Sequence, residues 1–210
     1  ILPTTTPIIQ KGEVLPWFYE YNGIVTPLTQ LTVGAKVLGV NVTSQEPDAV
    51  VRKMPVLIRV GEKIYPSMLL ENIRLVNRSK RIKVIAKLHG IDEILVSKKA
   101  GIPVNHNAEM YINYADPEKY TQLSVEQVFS TEHADKIKGR IVILGMDAAG
   151  LSVLKYTPHG LTTDQMITAQ ALDTTMTGDY LYRISKADTY EIVFMGLLGL
   201  LLLSLIHISE

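Results

Sequence analysis

Lys138-Gly139-Arg140-Ile141-Val142-Ile143-Leu144-Gly145 is the stretch on which the reading of the fold turns. A short apolar run, closed by a basic turn on one side and a glycine on the other, has the pattern of a strand covered on both faces. Ahead of it, Ser124-Val125-Glu126-Gln127-Val128 has the spacing of a capping box, in which Ser124 and Gln127 satisfy the first orphan amides of a short helix. Behind it, Asp164 to Met176 reads as a helix, with Thr162 or Thr163 as cap and Gly178 as stop. Strands alternating with helices predict an α/β layered domain.

Working outward towards the N-terminus, Leu28 to Ala35 reads as a short helix and Lys36 to Val42 as a buried, β-branched strand. Pro47-Asp48 marks a turn. Ala49 to Val60 is β-rich, breaks at Gly61-Glu62-Lys63 and restarts at Ile64-Tyr65, which predicts a hairpin. Pro66-Ser67 opens a helix through Val76, with Met68, Leu69, Ile73, Leu75 and Val76 on its apolar face and Glu71 and Arg74 on its wet one. Arg81 to Leu88, Ile91 to Val96 and Met110 to Tyr114 read as further strands, turning at His89-Gly90 and at Lys98-Lys99-Ala100-Gly101. The expected architecture is a central mixed, mostly parallel sheet with a β-hairpin insertion. Residues up to Asn22 hold several prolines and the dense aromatic cluster Trp17-Phe18-Tyr19. They suggest no definite element.

Composition removes several function classes. The chain has 210 residues, 47% of them hydrophobic and 20% charged, which suits a globular domain rather than a disordered one. Lys plus Arg (21) equals Asp plus Glu (21), so the net positive charge of a nucleic-acid binder is missing. There is no cysteine, hence no disulfide, thiolate metal site or cysteine nucleophile. No signal-peptide pattern opens the chain, which reads as a fragment.

The motifs with chemical meaning have plainer alternatives. Gly145-Met146-Asp147-Ala148-Ala149-Gly150 follows the apolar run with the glycine spacing of a phosphate loop, but Leu151-Ser152 stands where the phosphate-binding lysine belongs. A strand-to-helix connection is the expected use. His159 lies beside Thr157-Pro158 and near Asp164, yet His89, His106, His133 and His159 show no metal-ligand spacing. No GxSxG elbow is present. Asp48 and Arg52 are four apart, and an internal ion pair is expected of them ahead of ligand contact. No cofactor is implied.

From Ile192 to Ile206 no charge interrupts an apolar run. At about 1.5 Å per residue it reaches about 22 Å, against a hydrocarbon core of about 30 Å. Being apolar on all faces, it reads as the truncated beginning of a transmembrane helix, entered past Tyr180, Tyr182 and Tyr190. Ser204 to Glu210 resemble translated sequencing-adapter read-through and carry no functional weight.

Three stretches together resemble the type-2 CHASE family, extracellular sensory domains of bacterial cyclases, histidine kinases and serine/threonine kinases. The first is Val37-Leu38-Gly39-Val40-Asn41 with Pro47-Asp48 through Pro55. The second is Tyr111 to Tyr114 with Ser124 to Val128. The third is Lys138 to Gly145, then Thr157-Pro158-His159-Gly160, then Thr168 to Asp173. Two departures stand out: Ala49 replaces the glycine usual after the aspartate turn, and Val153 an aspartate usual before the Thr-Pro pair.

The resemblance implies a partial N-terminal segment (1–27), a sensor domain (28–185) and the start of a transmembrane helix (190–210). It implies an extracytoplasmic domain at the bacterial inner membrane, a homodimer, an unidentified small-molecule or other stimulus, and a cytoplasmic output domain elsewhere. Its ligand-binding or structural candidates are Asn41, Asp48, Arg52, Pro55, Gly145, Asp147, Gly150, Thr157, Pro158 and Gly160. The alternatives are an α/β hydrolase or nucleotide-dependent transferase using Asp147, Thr157 and His159, and a non-sensing module of a membrane complex.

Overall fold

The protein is described here by a computed structural model, covering residues 6–44, 46–97, 101–148, 150, 152–181 and 187–208. Ten strands alternate irregularly with six α-helices among these residues. The strands are β1 (Ile8–Lys11), β2 (Lys53–Pro55), β3 (Leu57–Val60), β4 (Lys63–Pro66), β5 (Ile82–Lys87), β6 (Gly90–Leu95), β7 (Gly101–Ile102), β8 (Glu109–Tyr111), β9 (Leu154–Thr157) and β10 (Gly160–Thr163). The helices are α1 (Thr29–Thr32), α2 (Met68–Val76), α3 (Val125–Phe129), α4 (Ala134–Ile137), α5 (Asp164–Thr177) and α6 (Ala187–Ile208).

The expected class holds in outline: helices and a central mixed sheet, of order β1-β5-β6-β7. The expected direction does not. Only β1 runs parallel to its neighbour β5, whereas β5-β6 and β6-β7 are antiparallel. The physical reason is short connections: β5 reaches β6 through a tight turn at Leu88-His89, and a turn that short reverses the chain. Three two-stranded pairs, β2-β8, β3-β4 and β9-β10, complete the sheet structure. The hairpin at Gly61 is β3-β4, as expected.

The core lies between these sheets and α2 and α5. Met54, Leu57, Ile58, Leu69, Leu70, Ile82, Ile94, Ile102, Met110 and Ile167 are among its fully buried side chains. Ser67 caps α2 by accepting from the Leu70 amide at 3.2 Å, and Thr163 caps α5 by accepting from that of Met166. Gly178, at φ 81°, stops α5 in the left-handed conformation. The capping box of Ser124 and Gln127 is formed.

Three expectations are corrected. Glu71 and Arg74 are buried, not wet, at 2% and 8% exposure. Arg74 Nε donates to Glu71 Oε2 at 2.7 Å and Arg74 Nη1 to the Ser79 carbonyl at 2.7 Å, while the Thr6 hydroxyl donates to Glu71. A pair satisfied this fully can leave water. Lys36 to Val42 is not a buried strand. It is half-buried or exposed and makes a single parallel bridge, Val40 to Ser67. Ile141 to Leu144 is not a covered strand either: it takes no regular structure, and Ile141, Val142 and Leu144 are exposed, Leu144 at 86%. Apolarity predicts a wish for burial, and no described element lies over this run.

Of the turn expected at Lys98-Lys99-Ala100-Gly101, residues 98–100 lie outside the described set, as does Tyr182. Helix α6 has 22 residues, and its large apolar side chains from Ile192 to Leu205 are exposed around its whole circumference. Among the described residues, no helix is long and apolar enough to cross a membrane.

Candidate functional site

The residues singled out by sequence fall into two groups. The first is assembled around the segment from Thr43 to Lys53. Asp48 opens its turn: Oδ1 accepts from the Val50 amide at 3.1 Å, and the carboxylate takes a two-point contact from Arg52, Nη1 to Oδ1 at 3.0 Å and Nη2 to Oδ2 at 2.8 Å. Arg52 Nη1 also reaches Glu46 Oε2 at 2.8 Å. The ion pair expected of Asp48 and Arg52 is therefore present, with Glu46 as a third member. Ala49 sits at φ 62°, in the left-handed region, so the turn asks for the glycine that this chain lacks.

The Thr-Pro motif packs directly on this segment. Thr157-Pro158-His159-Gly160 is the turn between β9 and β10, a hairpin that the sequence did not suggest. Thr157 is buried and its hydroxyl donates to the Gly160 carbonyl at 2.8 Å. Val50 bridges Tyr156, and the Val51 amide donates to the Tyr156 carbonyl at 2.8 Å. Lys155 Nζ donates to Thr43 Oγ1 at 2.5 Å and pairs with Asp164 at 2.6 Å. Tyr114 closes the unit: its hydroxyl donates to the Val51 carbonyl at 2.8 Å, and its ring lies 6.4 Å from that of His159. Burial pushes the Tyr114 hydroxyl well above the ordinary tyrosine value.

The second group stays apart. Gly145 is exposed and meets the side chain of Gln165, which would occupy the place of any Cβ there. Gln165 Nε2 donates to the Met146 carbonyl at 2.7 Å, so the loop is tied to the start of α5. Asp147 and Gly150 are exposed, as are Asn41, Pro158 and His159. Thr157 is held by the Gly160 carbonyl and His159 lies against the Tyr114 ring, and neither is hydrogen-bonded to Asp147 or to the other. Among the described residues no group of three or more His, Cys, Asp or Glu is placed to hold a metal.

Beside the first group opens a cleft of about 370 Å³, lined by Tyr19, Tyr21, Thr43, Ser44, Glu46, Pro47, Lys53 and Glu109. Tyr19 and Tyr21 are placed by pairing with β3: the Arg59 amide donates to the Tyr19 carbonyl at 3.0 Å, and the Tyr21 amide to the Arg59 carbonyl at 2.8 Å. Ser44 bridges Lys53 of β2, and β2 pairs with β8, which brings Pro55 opposite Glu109. Pro55 is buried and serves this pairing.

Glu109, only 3% exposed, is the deepest charged lining residue. Its carboxylate accepts from the Ser44 hydroxyl and from Asn105 Nδ2 at 2.7 Å. Hydrogen bonds to a charged group contribute about 1.5–3 kcal/mol each, which together offset a burial cost of several kcal/mol. Lys53 pairs with Glu46 at 2.9 Å, and its ammonium lies 5.2 Å from the centre of the Tyr111 ring.

The titrations follow. Partial burial opposes the Lys53 charge, but the hydrogen bond to Glu46 and the fields of Tyr111, Glu46 and Glu109 prevail and raise it. Hydrogen bonding from Lys53 lowers Glu46. Burial, and after it the Glu109 charge, raises both Tyr19 and Tyr21.

Apart from Pro47 of the Asp48 turn and Tyr19 of the aromatic cluster, sequence reading missed this cleft. Its residues come from four separated stretches between 19 and 109, and the visible signals were the aromatic cluster at 17–19 and the charges from Glu46 to Lys53. No curated protein and no solved structure matches the chain. The family model of the CHASE2 domain, however, matches residues 6–205, nearly the whole length. The chain therefore belongs to the CHASE2 family, whose members are extracellular sensory domains.

Proposed function

We propose that this CHASE2 domain is the extracytoplasmic sensing part of a bacterial transmembrane receptor, with α6 leading into the inner membrane and relaying the signal to a cytoplasmic output domain. The observation that carries the reading is α6 itself. Large apolar side chains cover every face of it from Ile192 to Leu205 and stand exposed. A helix that docks on a protein core has one apolar stripe and a polar remainder, whereas one that meets lipid is apolar all round. At about 1.5 Å per residue its uncharged stretch covers most, and not all, of a bilayer's hydrocarbon thickness.

The sensing step acts on a conformational equilibrium. A stimulus shifts it only by binding one state better than the other, and the working unit is a homodimer whose two α6 helices report the change together. Residues up to 185 lie outside the cytoplasm in this reading. The unit joining the Asp48 turn to the Thr157 hairpin is the element on which a stimulus acts, because it ties the segment from Thr43 to Lys53 to both the core and α5.

Membrane extraction tests the reading. The full chain, expressed in a bacterium, stays in the membrane fraction through an alkaline carbonate wash. A variant carrying Leu198→Asp and Leu202→Asp, at one turn's spacing in α6, is released to the supernatant with an unchanged far-ultraviolet spectrum. Wild-type chain found in the supernatant refutes it.

A further inference from the structure

The cleft holds one negative charge more than its surroundings cancel. Glu46, Asp48, Arg52 and Lys53 form a neutral set, joined by contacts of 2.8–3.0 Å. Glu109 stands outside that set. Its hydrogen-bond donors are the Ser44 hydroxyl and the Asn105 side-chain amide, both uncharged. Among the described residues no cation lies within ion-pair distance of it. A buried carboxylate that faces a cleft with no cation in contact creates a negative potential, which Lys53, already paired with Glu46, offsets only from a distance and a bound cation relieves.

The walls fit the same kind of guest. Tyr19 and Tyr21 line the cleft, and a ring face attracts a cation electrostatically, most strongly where water is partly excluded. Both tyrosines share the cleft lining with Glu109. A bare metal ion would demand several convergent carboxylates, and no such group is formed among the described residues. A volume of about 370 Å³ suits a small organic molecule. Thr43 and Ser44 add hydroxyls for a polar substituent.

We infer that the cleft between Tyr19, Tyr21, Lys53 and Glu109 binds a small organic ammonium ion, with the Glu109 carboxylate as its counter-charge and the tyrosine rings as its walls. The inference stands on the cleft and does not depend on α6 entering a membrane.

The test is calorimetric titration of the full chain in mild detergent with putrescine and ethylammonium, set against butane-1,4-diol and succinate as neutral and anionic counterparts. At least one of the two ammonium probes binds saturably at one site, and neither counterpart competes with it. Glu109→Gln, nearly the same shape without the charge, weakens that binding at least tenfold. Tyr21→Ala, at the half-exposed wall, weakens it severalfold. The second variant carries the test if the first fails to fold. No saturable binding by either ammonium probe overturns the inference. So does preferential binding of succinate, or wild-type affinity in the folded variants.

Discussion

Replacing Tyr114 by Phe probes the unit that joins the two sequence motifs. The hydroxyl donates to the Val51 carbonyl at 2.8 Å, and Val51 is fully buried. Deleting it leaves a buried acceptor without this donor, at a cost of about 1–3 kcal/mol, while the ring keeps its packing near His159. The pH dependence makes the prediction specific. Burial raises the folded-state pKa of the hydroxyl above its unfolded value, so the folded chain keeps the proton at pH values where the unfolded chain releases it. The stability this provides is fully present below about pH 10 and is lost as pH rises, by at most about 1.4 kcal/mol per pH unit for one such group. The partial exposure of Tyr114 makes that slope an upper limit. Urea titrations from pH 8 to 11.5 should show Tyr114→Phe less stable at pH 8, with the gap closing above pH 10. A gap below about 0.5 kcal/mol at pH 8, or one that does not change with pH, would refute the reasoning.

Three further outcomes are expected. Ala49→Gly relieves a left-handed conformation in the Asp48 turn and should raise stability by about 1 kcal/mol in the same assay, net of the added backbone freedom in the unfolded chain. Arg74→Met strands Glu71 in the core and should cost about 3–5 kcal/mol, much of it recovered when Glu71 is also made Leu. Glu46 and Asp48 both titrate below their ordinary values, through Lys53 and Arg52 respectively, so their contribution is present at neutral pH and lost as pH falls below about 4. Glu46→Gln should flatten that acid loss in a pH series of thermal melts.

Local chemistry explains what was legible from the residues alone. Ser67, Ser124, Thr163 and Gly178 each act within a few residues of themselves, and the ends of α2, α3 and α5 fall where they point. Gly61 marks the β3-β4 hairpin for the same reason. Partnership between distant segments was not legible. Ile141 to Leu144 has the composition of a covered strand, but composition does not say what covers it. Glu71 and Arg74 look wet one by one and are buried because they meet each other. The β9-β10 hairpin was hidden by reading Thr157 to Gly160 as a motif rather than as a turn.

The candidate site divides along the same line. Asp48 and Arg52, four residues apart, were readable as a pair, and the pair is there. Glu109 carries no motif at all. Its importance arises only when β8 lies against β2 and sets it against Ser44, in the cleft that Tyr19 also lines. Order and spacing of weak motifs were enough for the family. They were not enough for the cleft.

The absence of cysteine allows a direct test of where the domain sits. Glu62→Cys places a single thiol at the exposed tip of the β3-β4 hairpin, and Leu198→Cys places one in the middle of α6. Intact cells or spheroplasts expressing either variant are treated with a membrane-impermeant maleimide, before and after permeabilisation. If this is an extracytoplasmic sensor domain held by α6, the thiol at position 62 is labelled in intact cells and the thiol at 198 is protected until detergent is added. Labelling at position 62 only after permeabilisation would contradict it.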